Sequence, residues 1–340
     1  MAEDELVDQQ ELFEHHRFIV DPGQSLLRID KFLADKIENT SRTRINNAAT
    51  AGNILVNNNK VKSNYKVKPG DLIQIVLPNP PREIETIAEE IPLNIIYEDD
   101  DVLVVNKEPG MVVHPAYGNF TGTLVNALMW HFKDIPLFHT GDNRPGLVHR
   151  IDKNTSGLLV IAKNELALNK LSKQFFNRTT DRKYNALVWG TPDPPVGTIT
   201  GNVGRSIRDR KIMQVFSDGS KGKNAVTHYK IIEDLGYISY IECKLETGRT
   251  HQIRVHFSHI KHPLFNDVEY GGDKILKGTT FTKYQQFIKN CFKILPRQAL
   301  HAKSLAFDHP VTGKRLSFDS ALPDDMQEVI EKWRKYTSGR

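Results

Sequence analysis

The sequence predicts an α+β protein: a mixed, largely antiparallel sheet preceded by a small module of two helices and a hairpin. Three observations lead there. From Asn94 onward, short β-rich runs outnumber helical segments, without the strict strand–helix alternation of a parallel sheet. Pro78, Pro80 and Pro81 interrupt regular structure between this region and an earlier, helix-rich one. Charge is also arranged in blocks. Residues 1–23 carry one base and seven acids, 24–75 nine bases and four acids, 76–106 one base and eight acids, and 107–340 are net +13.

At 340 residues the chain is long enough for two domains. With 39% hydrophobic and 26% charged residues and a mean hydropathy of −0.44, it reads as globular rather than disordered or fibrous. The longest apolar runs, such as Leu158 to Ala162, fall far short of the roughly 20 residues that span a bilayer. The acidic start predicts no secretory signal. Cys243 and Cys291 form no CxxC pair, so neither a disulfide framework nor a cysteine zinc site is expected, and a reducing cytoplasm fits. Two basic blocks separated by an acidic connector suit a polyanionic partner, because clustered Lys and Arg release counterions from phosphate. Ordinary solubilising charge would look similar.

Residues 1–22 read as an acidic, flexible tail. Ser25 is a candidate cap for a helix with Leu26, Ile29, Leu33 and Ile37 on one face. Ser41 can cap a second helix that buries Ile45, Ala48 and Ala49 and stops at Gly52. Ile54 to Asn57 and Lys60 to Lys62 flank Asn58-Asn59, a tight hairpin, since Asn tolerates positive φ. Lys68-Pro-Gly-Asp71 turns into a strand from Leu72 to Leu77. A module over 23–77 and a linker over 78–92 follow. Further strands are expected at Asn94 to Tyr97, Val102 to Asn106, Leu158 to Ala162, Lys183 to Trp189, Ala225 to Ile232, Tyr237 to Leu245 and Ser304 to Asp308, with helices at Thr123 to Phe132 and Glu165 to Phe176. This domain is placed at 93–325, with a C-terminal helix or tail at 326–340.

The first module resembles the S4 RNA-binding domain through Arg28-Ile-Asp-Lys-Phe-Leu33, Ser41-Arg-Thr-Arg44, Ala51-Gly-Asn-Ile-Leu-Val-Asn57 and Lys66-Val-Lys-Pro-Gly-Asp71. The resemblance implies that Arg42, Arg44, Lys60 and Lys62 face structured RNA. A small fold with a solvated basic face is the plainer reading of the same charges.

In Gly146-Leu-Val-His-Arg-Ile-Asp-Lys-Asn-Thr-Ser-Gly-Leu158, a polar turn sits between apolar stretches. It sets Asp152 beside Arg150, Thr155 and Ser156 at the mouth of a core strand, where a site can be held rigidly. An isolated aspartate there would simply accept backbone hydrogen bonds in an Asx-turn. The string, however, closely resembles the catalytic motif of the RluA family of pseudouridine synthases. The likeness extends through Asn106 to Pro115, Gly122 to Leu128, Arg182 to Gly190, Glu246 to Phe257, Arg297 to Ala302 and His309-Pro310. One departure is Glu108, which stands before Pro109-Gly110 where the family reads Lys-Pro-x-Gly.

The resemblance implies isomerisation of uridine to pseudouridine, with the front module pointing to large-subunit (23S) ribosomal RNA in a structured stem-loop or pre-ribosomal particle. That reaction breaks N1–C1′ and joins C5 to C1′ without redox change or net hydrolysis, so no cofactor, nucleotide or metal is expected. Asp152 is the implied catalytic group, whether as nucleophile on C1′ or C6 or in assisting a glycal route. Arg254 is its implied ion partner, since burial alone would neutralise a carboxylate, and Arg249 is a neighbour suited to phosphate or backbone. Tyr184 is implied to stack on the target base and take the C5 proton. Leu158 and Ile253 are expected to wall the pocket. Arg150 is implied to fill the gap left by the everted base, and His149 to orient a phosphate or pack beneath the loop. Arg205 and Arg208, with Lys223 across the hairpin, read as an RNA clamp or a solvated tip. His251, His256, His259 and His262 read as core and surface histidines rather than metal ligands. A monomer is expected.

Other readings are transfer-RNA pseudouridylation, a non-catalytic RNA-binding or ribosome-assembly protein, and a glycosidase-like hydrolase. Pure binding gains nothing from a carboxylate facing a polyanion, and glycoside hydrolysis normally needs two carboxylates.

Overall fold

The computed structural model describes residues 12–24, 26–37, 40–78, 86–116, 118–139, 144–209 and 212–339. The chain divides into two compact units, Met1–Ile84 and Glu85–Arg340. Ser25, Pro80 and Pro81 lie outside the described residues, as does the tail before Leu12.

The first unit contains β1 (Phe13–Ile19), β2 (Leu27–Arg28), α1 (Ile29–Lys36), α2 (Arg42–Thr50), β3 (Ile54–Val56), β4 (Asn59–Lys60), β5 (Lys66–Val67) and β6 (Leu72–Leu77). Its main sheet runs β1-β6-β3-β4. Ser41 Oγ accepts from the Arg44 amide and caps α2. Asn57 and Asn58 take φ of 50° and 65°, the left-handed pair a two-residue hairpin requires. Ile29, Phe32, Leu33, Ile45, Ile54 and Ile73 form the core. Two expectations fail here. Residues 13–19 are not a loose tail. They form β1, antiparallel to β6, with Phe18 edge-on to Phe32. Leu26 is 67% exposed, because α1 begins only at Ile29 after the short β2.

The second unit contains β7 (Ile95–Glu98), β8 (Val102–Lys107), α3 (Leu124–His131), β9 (Ser156–Ala162), α4 (Glu165–Asn177), β10 (Asp181–Trp189), β11 (Val196–Arg205), β12 (Met213–Phe216), β13 (Lys223–Asp234), β14 (Ile238–Leu245), α5 (Gln252–His259), α6 (Thr282–Ile294), β15 (Leu300–Asp308), β16 (Arg315–Asp319) and α7 (Asp324–Ser338). The sheet order is β12-β11-β13-β14-β10-β15-β9-β8-β7, with β16 beside β15. Every pairing is antiparallel except β9 with β15. The mixed, largely antiparallel sheet is therefore as expected. Gly157 sits at the parallel junction with φ +116°, where an added Cβ would lie 2.3 Å from the Ala302 carbonyl.

The domain limits need correction at both ends. Ile87 O accepts from Asn126 Nδ2, and the Glu89 amide donates to Asn126 O, so the end of the supposed linker is bound to the second unit. Of the helix and the tail expected after 325, the structure has a helix, and it is packed into the second unit. α7 buries Met326, Val329, Ile330 and Trp333 along one stripe, against Phe265, Tyr284 and Ile288.

Two buried histidines make this unit acid-sensitive. Burial lowers His256 to about 4, and neither ring nitrogen has a hydrogen-bond partner among the described residues. Burial also lowers His301 to about 4, although Ser156 and Ser320 hydroxyls engage both nitrogens. An unfolded histidine titrates near 6.5. From about pH 6.5 down to 4 the unfolded chain therefore binds more protons, and stability falls with pH. The urea midpoint should drop between pH 7 and pH 5, and His256→Leu should flatten that drop; an unchanged slope in the variant would contradict this assignment.

Candidate active site

The loop before β9 carries Asp152. The Thr155 amide donates to Asp152 O at 3.1 Å and closes a turn. Two buried cations hold that turn from below. Lys107 Nζ donates to the carbonyls of Glu108 (2.7 Å), Met111 (2.9 Å) and Lys153 (3.0 Å). Burial, with Arg297 adding, lowers the Lys107 ammonium to about 7. Arg297 donates to Asn154 O at 3.0 Å while its other edge forks onto Asp325 of α7.

Arg254 projects from α5 and is almost fully buried. Its Nη1 donates to Asp152 Oδ2 at 3.2 Å. Its Nε and Nη2 make a bidentate contact with Asp267, at 2.7 and 2.8 Å, and Nη2 also meets Glu269. The Tyr270 ring lies 5.0 Å from the guanidinium carbon. Burial works against a charged guanidinium, but Asp267, Asp152 and Glu269 outweigh it and raise its pKa further. The fork onto Asp267 sets the guanidinium plane, and that plane aims Nη1 at Asp152.

Asp267 stands on a tight turn. The Gly272 amide donates to its carbonyl at 2.7 Å, and a Cβ at Gly272 would lie 1.8 Å from Leu264 O. His251, just before α5, has φ +54°. Its Nε2 lies 3.8 Å from Asp152 Oδ1, and its Nδ1 lies 2.9 Å from the Tyr270 hydroxyl. The Met213 amide donates to that hydroxyl. Burial lowers the His251 imidazole, against the Asp152 and Glu269 carboxylates, which raise it. Its placement beside Asp152 corrects its reading as a packing or surface residue.

Asp152, Arg254, Tyr184, Arg150, His149, Arg249 and Ile253 line one cavity of about 480 Å³. Tyr184 is buried on β10, and burial raises its phenol. His149 Nε2 accepts from the Val160 amide, and the ring stacks on Phe175 at 4.5 Å. Burial and then Arg182 lower His149 to about 3, so it packs beneath the loop as a neutral ring. Arg150 is exposed, with Nη1 3.4 Å from His114 Nε2. Arg249 Nε donates to Asn224 O.

Leu158 does not wall the cavity. Side chains alternate along β9, so Leu158 joins Val102, Val104 and Phe307 on one face, while Leu159 and Ile161 enter the other core. Arg205, Arg208 and Lys223 are exposed around the β11–β12 hairpin and strand β13, outside this cavity. In the first unit, Arg44, Lys60 and Lys62 are exposed. Arg42 is half committed: with Arg28 it clamps the fully buried Asp30. Asp99, Asp101 and His309 cluster elsewhere, but Asp99 Oδ1 accepts two backbone amides and Asp101 Oδ1 accepts from Asn164. That group ties His309 to the β7–β8 turn.

Residues 101–259 match the RNA pseudouridylate synthase family, and residues 27–73 match the S4 domain. The chain is 47% identical to an uncharacterized RNA pseudouridine synthase of Bacillus subtilis, covering 91% of this chain and 94% of that one. The chain belongs to the RNA pseudouridylate synthase family. It is also 43% identical to ribosomal large subunit pseudouridine synthase D of Zymomonas mobilis, over 89% of this chain and 93% of that one. The solved structure of human RNA pseudouridylate synthase domain containing 1 shares the fold, with TM-score 0.50 at 24% identity, covering 73% of this chain and 96% of that one. The enzyme is thus an isomerase with an S4 domain, and among its described residues no helix is long and apolar enough to cross a membrane.

The ion cluster predicts a clear ranking. Asp267→Asn breaks a fully buried pair and should cost about 3 kcal/mol in urea unfolding. Glu269→Gln alters a half-exposed partner and should cost under about 1 kcal/mol. Equal losses would contradict the assignment of Asp267 as the main anchor of Arg254.

Proposed function

We propose that this synthase isomerises uridines in large-subunit ribosomal RNA, with Asp152 as the group that engages the everted base. The observation that carries the reading is one partly open carboxylate, held by a buried guanidinium, on a cavity walled by a tyrosine. Attack on C1′, attack on C6 and assistance to a glycal all need the same thing: an anionic oxygen facing the nucleoside. Arg254 supplies a positive charge beside that oxygen. His251 faces the second oxygen of Asp152.

Tyr184 provides a flat wall for the everted base, since stacking on an aromatic ring contributes about 1–3 kcal/mol. Its phenol is raised by burial and is protonated at neutral pH. In the fraction of enzyme whose phenol has given its proton to solvent, the phenolate oxygen accepts the C5 proton that must leave once C5 has joined C1′. Arg150, exposed beside the cavity, fills the space the uridine vacates. Arg44, Lys60 and Lys62, with the free edge of Arg42, supply the sequence-independent attraction of the S4 unit. Arg205, Arg208 and Lys223 add to it from the second unit. Arg249 meets phosphate or sugar at the cavity edge. Relatives named for the ribosomal large subunit favour ribosomal over transfer RNA. The enzyme works as a cytoplasmic monomer and needs no cofactor.

Pseudouridine mapping of total RNA from cells with and without the protein tests the substrate. Specific large-subunit positions should lose the modification, and losses confined to transfer RNA would overturn the ribosomal assignment. Tyr184→Phe should retain RNA affinity within about two-fold and slow single turnover by about a hundred-fold or more, the scale of general base catalysis. Because its phenol lies above its ordinary value, the wild-type rate should climb through the alkaline range, and the variant should lack that limb. A variant with wild-type rates would leave Tyr184 a packing role only.

A further inference from the structure

The rim of the cavity holds two features that the handling of the target uridine does not use. Phe176, the penultimate residue of α4, is 86% exposed, although it lines the cavity. Its neighbour Phe175 is occupied, with His149 stacked on it and the Arg182 guanidinium 5.4 Å from its ring centre.

Arg182 is the second feature. It is 8% exposed, lines the same cavity, and its buried Nε has no hydrogen-bond partner. Nη1 lies against Gly248, where an added Cβ would come within 2.8 Å. No carboxylate pairs with Arg182 among the described residues. A guanidinium buried without an anion is costly. The protein keeps it beside an opening wide enough to admit a ligand. His149 and Tyr184 line the cavity with it. Arg178, the left-handed cap of α4, adds a second cation to the rim.

We propose that Arg182 and Phe176 form a subsite for a nucleotide adjacent to the target uridine: the guanidinium takes its phosphate and the exposed ring stacks on its base. The proposal rests on the synthase reading of the cavity. An everted uridine pulls its flanking nucleotides out of their stack, and an aromatic face outside the uridine pocket gives one of them a new partner. The combination of buried cation and bare ring fits a nucleotide, which carries a phosphate and a flat base on one unit. The subsite makes the nucleotide beside the target part of substrate selection.

The test uses the full chain and a stem-loop from whichever RNA the wild type is found to modify, so failure of the ribosomal assignment leaves it intact. Phe176→Ala should weaken binding about ten-fold, with the single-turnover rate at saturating RNA unchanged, and Phe176→Trp should restore binding. Replacing one particular nucleotide beside the target with an abasic residue should abolish the difference between Phe176→Ala and wild type. Arg182→Gln should reduce the slope of log affinity against log salt by about 1. Unchanged affinity in Phe176→Ala would overturn the proposal. So would a defect that persists at every abasic position, or a wild-type chain that self-associates through Phe176 in sedimentation.

Discussion

One guanidinium organises the active site. Arg254 meets three carboxylates, and they are not equivalent. Asp267 is fully buried and takes the bidentate edge, so it sets the plane of the group. Glu269 is half exposed and shares Nη2. Asp152 receives the remaining nitrogen, and its other oxygen lies 3.8 Å from His251 Nε2. Asp267 is thus the anchor, and Asp152 is the carboxylate left available for chemistry. If Asp152 alone paired with Arg254, the guanidinium could swing with it. The second anchor makes the geometry rigid before any substrate arrives.

The rest of the second unit serves that geometry from opposite sides. Lys107 and Arg297 bind carbonyls of the Asp152 loop, joining it to the end of β8 and to α7. The close approach at Gly272 fixes the Asp267 turn. Gln252 ties the start of α5 to β13 through Val226 O and Thr227 Oγ1. Tyr270 bridges Met213 of β12 to His251. Hydrogen bonds therefore run from strand β12 through Tyr270 to His251, whose Nε2 lies 3.8 Å from Asp152 Oδ1.

Much of this was legible in the sequence because local chemistry is local. Ser41 as a cap and the apolar run of β9 each follow from a few adjacent residues; so does the hairpin, although its turn falls on Asn57-Asn58, one residue before the expected Asn58-Asn59. Asp152, Arg254 and Tyr184 were found by motif, and one cavity unites them. Leu158 was misplaced because a run of apolar residues does not show which face of a strand each one joins. β1 was hidden by the acidic composition around it. α7 was cut off although its stripe of Met326, Val329, Ile330 and Trp333 has helical spacing. Asp267, Glu269 and Tyr270 went unnoticed because their partner lies more than a helix away in sequence. Only the turn through Gly272 brings them back. The lone Nε of Arg182 is visible only in three dimensions, since charge counts do not reveal a missing partner.

The central claim is that the Asp152 carboxylate performs chemistry rather than holding the loop. Asp152→Asn preserves size and the hydrogen bond to the Thr155 amide, which uses the backbone carbonyl. The direct measurement is pseudouridine formed in a single turnover by the purified variant, with RNA binding recorded on the same sample. The account predicts RNA affinity close to wild type and no detectable pseudouridine. Substantial turnover by an Asp152→Asn enzyme that binds RNA normally would contradict it.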